Sequence, residues 1–144
     1  MPLPRVFLVV PDPLGANRTI VAEVARTPAE IERGFADRDP LPTTEQPGML
    51  FDLGSPGFRP FWMKGMRFPL DMLFLDADGV IVAIQGNLRP FDEALRSATT
   101  PYAWVLEAPG GWARRRGVRV GQRVVAMIPP LPLIFPLAAL RGLG

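Results

Sequence analysis

Four side chains carry most of the chemistry this sequence can offer: Trp62, Lys64, Asp71 and Glu107. There is no histidine and no cysteine. That excludes Ser-His-Asp and Cys-His catalysis, the commonest transition-metal ligand, thiolate metal sites and disulfides. Carboxylates, Lys64, Tyr102, arginines, hydroxyls and backbone are left. In the run Phe61-Trp62-Met63-Lys64, an extended backbone puts Phe61 and Met63 on one face and Trp62 and Lys64 on the other. An aromatic plane beside an ammonium is a platform for a small polar ligand. The plainer account has Trp62 covering the sheet while Lys64 reaches into water. Lys64 is the only lysine among 16 basic residues, which hints at a need for a compact ammonium rather than a guanidinium fork.

The carboxylates suggest a second chemistry. Asp71 follows Pro69-Leu70 and opens an apolar strand, and Glu107 closes another. If both faced one cleft they would form an acid–base pair, with one pKa pushed upward. Such a pair would suit a hydrolase or lyase, its oxygens about 5–5.5 Å or about 6.5–9.5 Å apart by the glycosidase scale. Carboxylates at strand ends also cap turns or sit in water. Glu23 is a third candidate, expected to be exposed, and Arg33, Arg38 and Arg59 could add anion contacts. Asp76-Ala77-Asp78-Gly79 lacks the further ligands of a calcium loop and reads as a turn. No metal and no cofactor is expected.

These residues must be positioned by short elements. Thr19 to Ala25 reads as a strand. Thr27-Pro28-Ala29-Glu30 opens a helix with a cap, a proline at its first position and a capping-box glutamate, and the helix should stop before Asp39-Pro40. Gly48 to Phe51 and Phe61 to Lys64 read as strands. Leu70 to Leu75 and Val80 to Ile84 form a hairpin about Asp76–Gly79. Asn87 to Pro101 is a long loop, of the kind that often carries function. Tyr102 to Glu107 is a strand, Pro109 to Arg116 a short helix ended by Gly117, and Gln122 to Ile128 the last strand.

The 144 residues suggest one domain with a core that needs no staples. The net charge of +2 gives a weak overall field. Arg114-Arg115-Arg116, with Arg119 and Arg123, is the one basic cluster. It reads as a solvated helix end; without aromatic interleaving, no nucleic-acid partner is expected. Residues 1 to 17 read as a loosely ordered extension, since Val6 to Val10 is too short for a signal-peptide core. From Val124 to Leu140, 17 residues carry no charge, but Pro129, Pro130, Pro132 and Pro136 argue against a transmembrane helix. This tail, residues 129–144, is expected to lie on the domain, on a membrane surface or against a second copy.

Read together, several motifs resemble the DUF192 (UPF0127) family. They are Glu23-Val24-Ala25, Thr27 with Glu30, Arg33-Gly34, Arg38, Gly48-Met49-Leu50-Phe51, Phe61-Trp62-Met63-Lys64, Pro69-Leu70-Asp71, Phe74-Leu75-Asp76 with Gly79, Val105-Leu106-Glu107, and Gly117 with Gly121. Their order and spacing carry the resemblance, from about Ile20 to Val125. The chain departs from the family pattern at Gly65-Met66, where the family has Asn-Thr, and at Gln122, where it has Asp. The resemblance implies no settled activity.

It implies a compact antiparallel β-sandwich or partial barrel with one or two short helices. The strand and turn pattern independently reads as mainly β with minor α. Residues 18–128 would be the domain. The functional expectation is a module binding a small polar ligand, a sugar or organic acid, near Trp62, Lys64 and Asp71. The alternatives are a hydrolase or lyase using Asp71 and Glu107, and an interaction domain using the apolar tail. Many family members are exported; with no signal peptide seen, a cytoplasmic location is expected.

Overall fold

The computed structural model describes residues 2–42, 46–128 and 133–143. Eight strands form one sheet: β1 (Arg5–Val10), β2 (Arg18–Ala25), β3 (Gly48–Gly57), β4 (Leu70–Leu75), β5 (Ile81–Leu88), β6 (Tyr102–Pro109), β7 (Val125–Ile128) and β8 (Leu133–Pro136). Their order across the sheet is β5-β4-β6-β3-β2-β1-β7-β8. Three short helices accompany it: α1 (Pro28–Arg33), α2 (Trp112–Arg116) and a C-terminal 3-10 helix (Leu137–Leu143). The fold is mainly β with minor α. The sheet is mixed, because β2 and β3 run parallel while every other pair is antiparallel. The α1 crossover lies between those two parallel strands.

The sheet curls without closing into a barrel. Three backbone hydrogen bonds join the start of β5 to the approach to β7: Ile81 N–H to Gln122 O at 2.8 Å, Gly121 N–H to Ile81 O at 2.8 Å, and Val124 N–H to Gly79 O at 2.9 Å. Strands β4 and β6 are buried almost throughout. Their side chains alternate between two cores. Leu73, Leu75, Trp104 and Leu106 face one, which is covered by Trp112 of α2 and by Leu137 and Leu140. Met72, Phe74, Tyr102 and Val105 face the other, with Ile31 and Phe35 and the run Phe61, Met63, Met66 and Phe68.

Helix α1 begins where its signals place it. Thr27 accepts from Glu30 N–H, and the Glu30 carboxylate accepts from Thr27 N–H. The helix ends sooner than the Asp39-Pro40 stop, because Gly34 turns the chain at φ +49°. Three further expectations change. Arg5–Val10 is an inner strand of the sheet, paired with β2 and β7, rather than a loose extension. The Phe61–Lys64 run forms only one bridge, Phe61 to Arg96. The helix drawn from Pro109 begins at Trp112, because β6 runs on to Pro109.

The tail is a strap on the domain. Pro129, Pro130, Leu131 and Pro132 lie outside the described residues. Beyond them β8 pairs with β7, Leu137 and Leu140 are buried, and Arg26 Nη2 donates to Leu140 O at 2.8 Å. Arg141 binds Asp52 through Nε and Nη2 and lies over the Trp104 ring, 4.5 Å from its centroid. No helix among the described residues is long and apolar enough to cross a membrane.

Candidate functional site

The sheet sorts the carboxylates by face. Glu107 pairs in register with Met49 on β3 and Met72 on β4. Its side chain therefore belongs to the α1 side. Asp71 pairs with Ala108, one position away, so it points to the α2 side. The two carboxylates lie on opposite faces, and the acid–base pair expected from the sequence is not assembled. A one-residue offset along a ladder is enough to separate them.

Asp71 is almost wholly buried and fully engaged. Its Oδ1 accepts from Asn87 N–H at 2.7 Å and Gly111 N–H at 2.8 Å, and its Oδ2 accepts from Ala113 N–H at 2.9 Å. Gly111 precedes α2 without a side-chain cap of its own, so Asp71 supplies one from a neighbouring strand. Its role is to tie the end of β5 and the entry of α2 to β4. Asp71 therefore faces away from the cleft that Trp62 lines.

Glu107 is as deeply buried and lacks that engagement. Among the described residues its Oε1 has no hydrogen-bond partner. Burial pushes its carboxyl up to about 8, so the neutral acid prevails near pH 7. It lines a small cleft of about 110 Å³ together with Phe51, Phe61 and Met66, while Gly34, Glu32, Arg59 and Trp62 complete the walls and rim. Phe51 and Phe61 meet edge to face, centroids 5.0 Å apart.

Trp62 and Lys64 project together, as the alternation requires, although their segment is not a regular strand. Lys64 Nζ stands 5.0 Å from the Trp62 ring centroid. Trp62 lines the cleft and is 38% exposed; Lys64 is exposed above it. The segment is held by the long loop opposite. Phe61 N–H donates to Arg96 O at 2.8 Å, Arg96 N–H to Phe61 O at 2.6 Å, and Met63 N–H to Asp92 O at 2.9 Å. The Tyr102 hydroxyl anchors it too, donating to the Arg59 carbonyl beside Ser97.

Gly65-Met66 has a local explanation. Gly65 sits at φ +74°, a left-handed turn that asparagine also tolerates. The Met66 side chain is buried in the cleft wall, so a methionine here makes apolar a wall that a threonine would make polar. Glu23, expected to be exposed, is buried and paired with Arg38 at 2.7 Å. Sequence reasoning missed Glu32, Gly34, Phe51 and Met66 as cleft residues. Only the Arg33-Gly34 and Gly48–Phe51 motifs and the Gly65-Met66 departure had marked their neighbourhood. Among the described residues no cluster of three or more acidic side chains could hold a metal ion.

Fold and cleft together define a small mixed-sheet β domain with one buried, unpartnered acid under an aromatic rim. The family model DUF192, described as an uncharacterised ACR, matches residues 11–126, and the chain belongs to that family. A Sinorhizobium meliloti 1021 structure, described as a candidate transcription regulator, is similar at 32% identity and TM-score 0.81, covering 88% of this chain and 96% of that one. A protein of unknown function from Novosphingobium aromaticivorans DSM 12444 is similar at 35% identity and TM-score 0.77, covering 85% of each chain. No curated protein matches.

Proposed function

We propose that the domain binds a small polar ligand, a sugar or an organic acid, in the cleft beneath Trp62 with Glu107 at its base. The observation that carries this reading is the buried Glu107 Oε1, which has no partner among the described residues. An unsatisfied buried polar atom costs about 1–3 kcal/mol, and a ligand group that pairs with it recovers that cost. As a neutral acid, Glu107 offers one O–H donor and one carbonyl acceptor. A ligand hydroxyl or carboxyl matches both. The cleft, about 110 Å³, admits only such a terminal group. The rest of the ligand lies against Trp62, with Arg59 and Lys64 at hand for an acidic substituent.

A thermal-shift screen against monosaccharides and short organic acids tests the reading, since binding to the native state raises apparent stability. At least one compound should raise the midpoint of the unaltered protein, with the rise lost in Trp62→Ala and reduced in Glu107→Gln. A flat response across both classes at millimolar concentration defeats it.

A second reading rests on the tail. Strand β8 is a sheet edge carrying Leu133 and Ile134 at 65% and 48% exposure, which favours self-association by edge pairing. Light scattering of Ile134→Lys beside the unaltered protein tests it: a dimer that becomes a monomer supports edge pairing, and two monomers remove it.

A further inference from the structure

Away from the Glu107 cleft, the surface carries a different signal. A groove of about 700 Å³ is lined by Arg114, Arg115 and Arg119, with Asn87 and the glycines of the β6–α2 turn. A second groove, about 610 Å³, opens where β2 runs on before its pairing with β3 begins, and takes Arg5 and Phe7 from β1 with Arg115 and Arg116 from α2. Arg115 stands between the two. Among the described residues, the only carboxylate lining either groove is Asp71, whose oxygens already accept three backbone N–H groups.

A helix end does not account for these arginines. Gly117 N–H and the Arg18 side chain already serve the last carbonyls of α2, Arg18 donating to Arg116 O at 2.7 Å. Arg5, Arg114, Arg116 and Arg119 are exposed, and among the described residues their side chains make no hydrogen bond or ion pair. Arg115 makes one bond, to the Gly110 carbonyl at 3.1 Å. The aromatic residue missing from the arginine run in sequence is brought in from β1: Phe7, 43% exposed.

We infer that these arginine-lined grooves bind the phosphate backbone of a single-stranded nucleic acid, with Phe7 stacking a base. Five arginines spread over two adjoining grooves exceed what one phosphate group engages and suit a chain of them. The arginines converge on concave surfaces from β1 and from α2 with the turn that follows it, which a flat lipid bilayer does not match. A single strand can bend its backbone into side-chain-sized grooves where a stiff duplex cannot. The inference is independent of the Glu107 cleft, which shares no lining residue with either groove.

Fluorescence anisotropy of the full chain with labelled 20-nucleotide single-stranded DNA and RNA tests it. Four backbone contacts on a single strand give a log–log salt slope of about −2.8, or about 50-fold weaker binding at 200 mM than at 50 mM salt. Arg114→Glu with Arg119→Glu should abolish binding. The same pair changed to lysine should retain most of it, which separates charge from misfolding. Phe7→Ala should weaken it at least fivefold, and Arg89→Glu, a reversal elsewhere, should leave it unchanged. No binding at 100 μM protein in 50 mM salt overturns the inference. So does binding indifferent to the arginine reversals. Arginine-dependent binding to phosphatidylserine vesicles without binding to either oligonucleotide assigns the face to lipid and equally overturns it.

Discussion

Asp71 and Glu107 are one residue apart in ladder register, on neighbouring strands, and equally buried. They do opposite work. The first faces α2 and accepts three backbone N–H groups. The second faces α1, ends beside a cleft, and keeps Oε1 unpaired. Burial alone therefore does not mark a functional acid. What separates them is the count of partners: a satisfied buried carboxylate is part of the frame, and an unsatisfied one holds interaction energy that a ligand can realise.

The sharpest way to break the comparison is to remove the frame acid. Asp71→Ala leaves three donors without their acceptor, at about 1–3 kcal/mol each. A loss of about 5 kcal/mol is expected in urea melts, enough to unfold a marginal domain. A loss under 1 kcal/mol would mean the three bonds are replaceable and the framing role is wrong.

Glu107 should show the other behaviour in its pH dependence. Its carboxyl is raised from 4.5 to about 8 in the folded chain by burial. Between those values the unfolded chain has lost the proton and the native state keeps it. The native state binds more protons there, so stability falls as pH rises. The slope from this group is about 1.4 kcal/mol per pH unit, full between pH 4.5 and about 8 and vanishing on either side. Glu107→Gln should remove that slope and be the more stable protein at pH 9. Parallel stability curves for the two proteins from pH 5 to 9 would show that Glu107 ionises normally.

Gly48 tests whether the cleft acid depends on tight strand packing. A Cβ built there lies 2.8 Å from the Glu107 carbonyl oxygen and 3.0 Å from Ile20 Cδ1. Both contacts are too close, and one is with rigid backbone. Gly48→Ala should cost about 2 kcal/mol by forcing β3 away from β6. It should also blunt any ligand-induced thermal shift more than Asp71→Asn does. An alanine protein as stable as the original would mean that the strands give way freely.

The difference between the two acids was not legible in the sequence. Local signals were: the capping box at Thr27, the hairpin about Asp76–Gly79, the αL cap at Gly117 and the alternation of Trp62 with Phe61 all depend on neighbours in the chain. Which face Asp71 or Glu107 takes depends on ladder register, set by pairings such as Met49 with Glu107 that span much of the chain. The cleft residues Glu32, Phe51 and Met66 converge for the same reason. Residues Arg5–Val10 looked loose because their partners are Arg18–Glu23 and Val125–Met127, and the latter are distant in sequence. The tail's four prolines correctly argued against a spanning helix, but its place on the Trp104 core came from a distant pair, Arg141 with Asp52.

The smallest effect calibrates the largest. Thr27 does for α1 what Asp71 does for α2: a side-chain oxygen accepts a backbone N–H at the helix start, here Glu30 N–H at 3.2 Å. The chemistry is shared and the setting is not. The Thr27 bond is single, neutral and exposed, so water replaces it when it is lost, whereas the Asp71 bonds are several, charged and buried. Thr27→Ala should therefore cost about 1 kcal/mol, roughly a fifth of the Asp71→Ala loss. The Glu30 carboxylate, still bonded to the Arg26 and Thr27 N–H groups, keeps the helix start in place, so far-ultraviolet circular dichroism should not change. Urea melts of both variants under one set of conditions measure the ratio. A Thr27 loss approaching that of Asp71 would mean that exposure does not discount a cap, and the distinction between frame and site would have to rest on position alone.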